Sequence, residues 1–165
     1  MSLAAARKFA IEAHGNQWYG VLPYEEHLRS VERTLLRFGV TDETVLAAGW
    51  LHDVMEDTCI TYGALVTRFG MGVASLVDAV TEEPGANRKE RAIKTYTRIR
   101  RYGAPAVILK VADRIANTEA SIQSRDRHLK MYREEFPAFS TALFASGECD
   151  AMWEYLRSIS TEQLK

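Results

Sequence analysis

The chain has 165 residues, a length that suits one domain with a sizeable hydrophobic core. Hydrophobic residues make up 47% and charged residues 26%, which argues against disorder, and the net charge of −1 gives no overall field to attract nucleic acid or a membrane. Cys59 and Cys149 are too few for a disulfide framework and fit a reducing compartment. Without an export signal at the start or an apolar run near the roughly 20 residues of a membrane span, we expect a cytoplasmic protein.

Helical periodicity predominates along the sequence, and no stretch shows convincing strand alternation. The predicted helices are residues 3–14, 24–38, 61–69, 73–81, 88–102 and 106–122, a helix that begins near residue 42 and runs into residues 50–58, and two helices within residues 125–158, bent at Pro137 and broken near residues 146–147. These elements predict an all-α fold, a single compact domain of about eight helices over residues 1–165.

Glycine, proline and capping residues set the expected boundaries. Residues 15–22 and 82–87 are predicted loops, because glycine and proline punctuate both. Gly39 stops the second helix, and Thr41 is the predicted N-cap of the third.

Residues 50–58 carry a dense group of side chains that bind metals or transfer protons. In a continuous helix, residues four apart share a face, so Glu56 lies one turn beyond His52 and Asp57 one turn beyond Asp53. Apolar residues cover the rest of the helix, which predicts burial, and buried carboxylates and imidazoles are costly unless they are paired or bind a cation. The stretch therefore predicts a functional site rather than a chance His-Asp pair on a solvated helix.

Two further residues are candidate ligands of the same ion. His27 stands at the start of an apolar helix, and Asp113 ends the strongly apolar run of residues 107–112. Each has an alternative, His27 as an ordinary surface histidine and Asp113 as a cap or a partner of Arg114. Two histidines and two aspartates form a mixed nitrogen and oxygen set, which suits Mn²⁺, Fe²⁺ or Zn²⁺ better than Ca²⁺.

Four short motifs occur in the order, and at roughly the spacing, of a known family. They are Ala13-His14-x-x-Gln17, Pro23-Tyr24-x-x-His27, Leu51-His52-Asp53-Val54-x-Glu56-Asp57-Thr58 and Lys110-Val111-Ala112-Asp113-Arg114-x-x-Asn117. Together they resemble the H…HD…D pattern of the HD-domain metal phosphohydrolases, and more closely the hydrolase domain of RelA/SpoT proteins and the stand-alone small alarmone hydrolases. The resemblance covers about residues 3–135 and implies an HD-domain helical bundle. For His14 and Gln17 we expect hydrogen bonding in the core or loop rather than catalysis.

The resemblance implies a hydrolase that acts on a small-molecule nucleotide. From the net charge and the apolar pattern described above, we expect no nucleic-acid or membrane partner. The four candidate ligands would hold one Mn²⁺, and the enzyme would remove the 3′-diphosphate of (p)ppGpp-type alarmones, giving pyrophosphate and GDP or GTP. Glu56 and Asp57 would position the attacking water and share its proton, a solvated helix end being the alternative. No synthetase region follows in this sequence, so a stand-alone hydrolase is expected.

Two kinds of rival function stay open at this stage. One is another HD phosphohydrolase, such as a nucleotidase or an NADPH 2′-phosphatase. The other is a catalytically silent module that senses a nucleotide, although a sensor has no need of the Glu56 and Asp57 pair.

Basic residues downstream are candidate contacts of the substrate phosphates. Arg88, Lys89 and Arg91 lie at a junction between loop and helix, where the helix dipole favours an anion. A solvated helix face is the alternative for about half of the basic residues between 88 and 101, since they cannot all face one way.

Polar residues around the last motif are further candidates. Lys110 and Asn117 lie about one helical turn before and after Asp113, so they could reach a phosphate or ribose oxygen at the metal. Tyr132 could line the other wall of the site, with a core role equally open.

The loop after the first motif departs from the family pattern. RelA/SpoT hydrolase domains usually carry a basic loop there, whose Arg lies against the guanine. Residues 18–22 hold no positive charge, and Trp18 and Tyr19 are the candidates for stacking on the base, with core packing of Trp18 as the alternative. Because every base has a π face, the loop predicts relaxed base choice, with ppApp cleaved at least comparably to ppGpp.

Overall fold

The computed structural model describes residues 2–161, which form helices joined by turns and one small hairpin. The elements are α1 Leu3–His14, β1 Trp18–Tyr19, β2 Leu22–Pro23, α2 Glu25–Arg37, α3 Glu43–Leu51, α4 Val54–Asp57, α5 Tyr62–Phe69, α6 Met71–Val80, α7 Arg88–Tyr102, α8 Ala104–Ser124, α9 His128–Leu143 and α10 Asp150–Thr161. The predicted all-α class is confirmed, and the described residues hold ten helices where about eight were expected. None of these helices is long and apolar enough to cross a membrane.

Helix α3 lies at the centre of the core. All seven residues from 45 to 51 are buried, and the helix packs against α1, α2, α6 and α8. Gly49 permits the close approach to α2, because a Cβ at this position would lie 3.0 Å from Leu35 Cδ1. Because α3 is buried on every side, His52, which follows it, also lies in the protein interior.

The predicted helix that runs through His52 and Asp53, the HD pair, is interrupted at these two residues. His52 Nδ1 donates a hydrogen bond of 2.9 Å to Gly49 O, the carbonyl that the Asp53 N–H would use in a continuous helix. Asp53 O then accepts the N–H groups of Glu56, at 3.1 Å, and Asp57, at 2.9 Å, which starts α4. The expectation of one continuous helix is therefore wrong, since α3 ends at Leu51 and α4 begins at Val54.

The cap of α3 also differs from the prediction. Asp42, and not Thr41, is the N-cap, and its carboxylate accepts hydrogen bonds from Thr44 N at 2.8 Å and Val45 N at 3.1 Å. Aspartate and threonine side chains both supply such an acceptor, so residue type alone did not show whether Thr41 or Asp42 is the N-cap.

Pro105 and Pro137 both lie inside helices. Pro105 belongs to the first turn of α8, where the missing N–H is not needed, and the helix therefore begins earlier than expected. Pro137 lies within α9, which continues through it. The predicted break near residues 146–147 separates α9 from α10.

The predicted loop of residues 15–22 contains a minimal hairpin. Trp18 pairs with Pro23 and Tyr19 with Leu22, and Gly20 has φ of 62°, a conformation that favours glycine. Alternation along a strand places neighbouring side chains on opposite faces. Trp18 is 66% exposed, so the alternative of core packing for this residue is wrong.

Candidate active site

The four predicted metal ligands converge beyond the end of α3. His27 comes from α2, His52 and Asp53 from the turn between α3 and α4, and Asp113 from α8. His52 Nε2 lies 2.9 Å from Asp53 Oδ2 and 3.4 Å from His27 Nε2. Asp113 Oδ1 lies 3.5 Å from His27 Nε2 and 3.7 Å from His52 Nε2. We call these four residues the ligand cluster.

The hydrogen bonding of His52 fits the cluster to a cation. A carbonyl oxygen can only accept, so Nδ1 carries the proton that bonds Gly49 O, and the neutral ring directs the lone pair of Nε2 at the cluster. That lone pair faces the carboxylate oxygen of Asp53, and two acceptors so close require positive charge between them. Metal-binding histidines usually donate their other ring N–H in this way. The set of two nitrogens and two oxygens therefore fits a divalent ion.

The charges of the cluster lead to the same conclusion. Burial lowers the pKa of His52, but the charge of Asp53 and the hydrogen bond to Asp113 outweigh it and hold that pKa well above its usual value, so Nε2 favours a positive partner, which is either a proton or a metal ion. Burial raises the pKa of Asp53, but His52 and His27 outweigh it, and the pKa lies well below its usual value. Two buried carboxylates at one point therefore favour a bound cation.

Tyr24 supports the cluster, although it was not among the predicted site residues. Its hydroxyl donates to Asp53 Oδ2 at 2.5 Å. Burial and the charge of Asp53 raise the pKa of Tyr24, so the hydroxyl keeps the proton that it donates. The signal was present, because Tyr24 precedes His27 by three residues and so lies on the same side of the chain as it enters α2.

The two predicted catalytic carboxylates lie on α4, next to the cluster and outside it. Glu56 Oε1 accepts the backbone N–H of Glu82 at 2.5 Å, and Asp57 Oδ2 accepts from Gln17 Nε2 at 2.8 Å. Burial and the charge of Asp53 raise the pKa of Glu56 above its usual value. A carboxylate with a raised pKa suits a group that takes up and returns a proton.

A polar cleft of about 250 Å³ opens beside the cluster. Residues of α4, α7, α8 and α9 line it. Among them are one predicted ligand, one predicted catalytic residue and four predicted substrate contacts: Asp113, Glu56, Arg88, Lys110, Asn117 and Tyr132.

Residues of α8 connect the cluster to the cleft. Lys110 Nζ lies 3.1 Å from Asp113 Oδ2, and Asn117 Nδ2 donates to Asp113 Oδ1 at 2.5 Å. Burial lowers the pKa of Lys110, but the charges of Asp113 and Glu56 outweigh that effect, and the pKa lies above its usual value. The ammonium group therefore keeps its charge. Arg114 points elsewhere, and the alternative pairing of Asp113 with Arg114 is therefore wrong.

Glu135 joins two arginines at the far wall of the cleft. Its carboxylate accepts from Arg88 Nε at 2.5 Å and from Arg114 Nη1 at 2.9 Å. The Arg114 guanidinium lies 4.9 Å from the ring centroid of Tyr132 and 4.8 Å from that of Phe139. Neither Arg114 nor Glu135 was among the predicted site residues, since no local spacing relates residues so far apart in sequence.

Two predicted phosphate contacts do not line this cleft. Arg91 Nε lies 2.7 Å from Glu82 Oε2, and Lys89 lines a separate apolar groove between α7 and α9. Successive residues of a helix point about 100° apart. Arg88 and Lys89 therefore cannot both face the cleft.

The hairpin lies against the ligand cluster. The Tyr19 ring stacks on His27 with centroids 4.8 Å apart and planes inclined by 23°. The Tyr19 hydroxyl donates to Asn117 Oδ1 at 2.6 Å. Tyr19 thus links the hairpin to both α2 and α8, while Trp18 stays in solvent.

The chain is similar in sequence to nucleotide hydrolases. It is 34% identical over 113 residues to guanosine-3′,5′-bis(diphosphate) 3′-pyrophosphohydrolase MESH1 of Danio rerio, a match that covers 66% of this chain and 63% of that protein. It is 34% identical over 134 residues to the guanosine-3′,5′-bis(diphosphate) 3′-pyrophosphohydrolase of Aquifex aeolicus (strain VF5), covering 79% of this chain. The chain spans only 19% of the Aquifex protein.

Solved structures and a family model agree with this similarity. The structure of a metazoan ortholog of SpoT superposes with a TM-score of 0.74 over 94% of this chain and 93% of that chain, at 22% identity, which bears on the fold alone. The structure of lmo0812 from Listeria monocytogenes EGD-e gives a TM-score of 0.67 at 26% identity, over 85% of this chain and 97% of that one. The model of the HD domain matches residues 6–141. The chain therefore belongs to the HD domain family.

Proposed function

We propose that the chain is a metal-dependent hydrolase that removes the 3′-diphosphate of (p)ppGpp-type alarmones, giving GDP or GTP and pyrophosphate. The observation that carries the proposal is the convergence of four nitrogen and oxygen donors beside a cleft that holds Lys110 and Arg88. The printed names of the Danio and Aquifex relatives support this substrate class.

The ligand cluster would hold one divalent ion, and Mn²⁺ is the ion that we propose, with Fe²⁺ and Zn²⁺ as alternatives. When bound, the ion supplies Lewis acidity at the reacting phosphate. Tyr24 keeps Asp53 in place by its hydrogen bond, and Gly49 O fixes the ring of His52.

The cationic side chains of the cleft would neutralise the charge that two diphosphate groups bring. Lys110 adjoins Asp113 and stays protonated, so it would contact the phosphate nearest the cluster. Arg88 is half exposed and would contact a more distant phosphate. Arg91 would have to break its ion pair with Glu82 before it could contact a phosphate. Lys89 lines a different groove, so we propose no phosphate contact for it.

Proton transfer falls to the carboxylates of α4. Glu56 and Asp57 would orient a water molecule, whose oxygen bonds to the phosphorus attached to the 3′ oxygen. Its proton passes to a carboxylate as the bond from phosphorus to the 3′ oxygen breaks. The leaving 3′ oxygen then takes up a proton, so the products are a 3′ hydroxyl and pyrophosphate. The raised pKa of Glu56 favours this residue as the proton carrier.

The hairpin would form one wall of the base site. Trp18 is exposed and uncharged, and Tyr19 already stacks on a ligand histidine. Aromatic stacking discriminates weakly between purines. We therefore propose that adenine alarmones such as ppApp are substrates as well as ppGpp.

We also propose a single domain over residues 1–165, located in the cytoplasm. The buried hydrophobic residues of the described helices, except Leu129, form one core cluster, and Cys59 and Cys149 are free thiols. Both observations support the proposal.

A nucleotide panel tests the proposed activity against its rivals. The protein is incubated with Mn²⁺ and each of ppGpp, ppApp, GTP, a nucleoside monophosphate and NADPH, and the products are identified. Pyrophosphate together with GDP from ppGpp supports the proposal. Orthophosphate from NADPH or a monophosphate, without alarmone turnover, would indicate another phosphohydrolase. Tight binding of ppGpp by the metal-loaded protein without turnover would indicate a sensor.

A further inference from the structure

A chain of two hydrogen bonds joins the end of α1 to the end of α4. His14 Nδ1 and Gln17 Oε1 lie 2.8 Å apart, and Gln17 Nε2 donates to Asp57 Oδ2 at 2.8 Å. Gln17 and Asp57 are 40 residues apart in sequence. The first sequence motif, which the proposed reaction does not otherwise use, is therefore bonded to one of the proposed catalytic carboxylates.

The chemistry of the groups fixes the direction of both bonds. An amide oxygen only accepts and an amide nitrogen only donates, so His14 Nδ1 must carry the proton that it shares with Gln17. If the amide turned over, its oxygen would face the carboxylate of Asp57, and its nitrogen would face the N–H of His14. Both contacts would be repulsive. Both contacts of the amide are therefore satisfied together only when its nitrogen faces Asp57 and His14 carries its proton on Nδ1.

The surroundings hold this arrangement in place. His14 is 7% exposed, and its ring stacks on Tyr24 with centroids 4.4 Å apart and planes inclined by 19°. The backbone N–H of Gln17 donates to His14 O, and Gln17 O accepts from the N–H of Tyr24, both at 3.0 Å. Within the described residues, His14 Nε2 has no hydrogen-bond partner, so no acceptor there competes for the ring proton.

We propose that His14 and Gln17 are positioning residues, which act on the reaction through Asp57. The amide donor fixes the rotamer of the carboxylate, and Oδ1 is left as the oxygen that meets water. This inference rests on the proposed hydrolysis, because it assigns the two residues a part in that reaction.

A double-mutant cycle tests the proposal by activity. Gln17→Leu removes the donor, and kcat for ppGpp should fall about 10- to 100-fold, the scale of a small misplacement of a catalytic group. KM should stay within about twofold, and the metal content should be unchanged, because the variant leaves the ligand cluster intact. In an Asp57→Asn background, Gln17→Leu should cause no further loss, since its effect passes through the carboxylate. Gln123→Leu, an exposed glutamine of α8 outside the cleft, is the matched control and should behave as wild type.

A second variant guards against a simple folding defect. His14→Phe keeps an aromatic ring against Tyr24 but removes the donor to Gln17, and kcat should fall while KM and the metal content are kept. Equal losses from Gln17→Leu in the wild-type and Asp57→Asn backgrounds would overturn the proposal, as would a rise in KM with kcat unchanged.

The ring tautomer of His14 gives a readout that needs no turnover. Nitrogen-15 NMR of the folded protein should show a proton on Nδ1, and Gln17→Leu should move it to Nε2. A proton on Nε2 in the wild type would overturn the proposal. If the wild type hydrolyses no alarmone but shows the Nδ1 proton and its loss in Gln17→Leu, the proposed function fails while the support of Asp57 stands.

Discussion

His52 connects the local backbone to the chemistry of the site. Its Nδ1–H bonds Gly49 O at the end of α3, and this bond leaves Nε2 as the ring atom directed at the ligand cluster. This hydrogen bond to the backbone therefore orients the ring of His52 toward the cluster. The short helix that carries Glu56 and Asp57, α4, follows.

Glu56 provides a prediction that separates chemistry from metal binding. Glu56→Ala should lower kcat by on the order of 10²–10⁴, the range for a proton-transfer residue, with full metal content. Steady-state kinetics and elemental analysis of the purified variant measure the two quantities. Loss of metal together with activity would make Glu56 a ligand, and near-normal turnover would remove it from the reaction.

Tyr24 provides a prediction about the support of the ligands. Tyr24→Phe removes only the hydroxyl bonded to Asp53, so the affinity for Mn²⁺ should fall about 10- to 100-fold, as for other partners of metal ligands. Titration of the metal-free protein measures this affinity. Tyr155→Phe is the matched control, because it removes a hydroxyl bonded to Glu119, outside the cluster. An unchanged affinity in Tyr24→Phe would contradict the account.

The residues of the cluster were predictable because histidines and aspartates occur in the order H…HD…D along the sequence. His27, His52, Asp53 and Asp113 needed only the sequence pattern, and the structure brings all four together. Arg114 and Glu135 could not be found in this way. Their ion pair joins α8 to α9, and only tertiary packing decides which arginine meets which acid.

Among the elements, α3 precedes His52 and Asp53 in the chain, and its N-cap contributes to the stability of that helix. Asp42→Ala should destabilise the protein by about 1 kcal/mol, because the carboxylate caps two backbone N–H groups. Thr41→Ala, the neighbouring position, should change the stability little. Denaturant unfolding measures both free energies. If Thr41→Ala lowered the free energy of unfolding more than Asp42→Ala did, Thr41 would be the N-cap.

The hairpin gives a prediction about base choice. Wild-type protein should cleave ppApp at a rate comparable to, or better than, that for ppGpp, and Trp18→Ala should raise KM for both because stacking is lost. Competition assays with the two alarmones measure the preference. A strong preference for ppGpp that is unchanged in Trp18→Ala and in Tyr19→Ala would place guanine recognition elsewhere.

The elements also show where sequence periodicity stops being informative. Long amphipathic helices such as α7, Arg88–Tyr102, were located to the residue. At the break between α3 and α4, His52 and Asp53 keep right-handed helical backbone angles, and the hairpin has strands of two residues, so neither feature leaves a periodic signal.

At the scale of the whole molecule, distant parts of the chain meet around α3. The cluster draws on α2, α8 and the turn after α3, and the cleft draws on α4, α7, α8 and α9. The core that joins these helices thus determines the distance between the ligands and the cationic side chains. We propose that this assembly binds a divalent ion and uses it to release pyrophosphate.

The most direct test combines metal content with product identity in wild type and Asp53→Ala. Wild-type protein loaded with Mn²⁺ should hold about one ion per chain and convert ppGpp to GDP and pyrophosphate, followed by phosphorus-31 NMR. Asp53→Ala should lose both the ion and the activity, because it removes a ligand that lies 2.9 Å from His52 Nε2. Full metal occupancy in Asp53→Ala, or metal-loaded wild type that releases no pyrophosphate, would contradict the account.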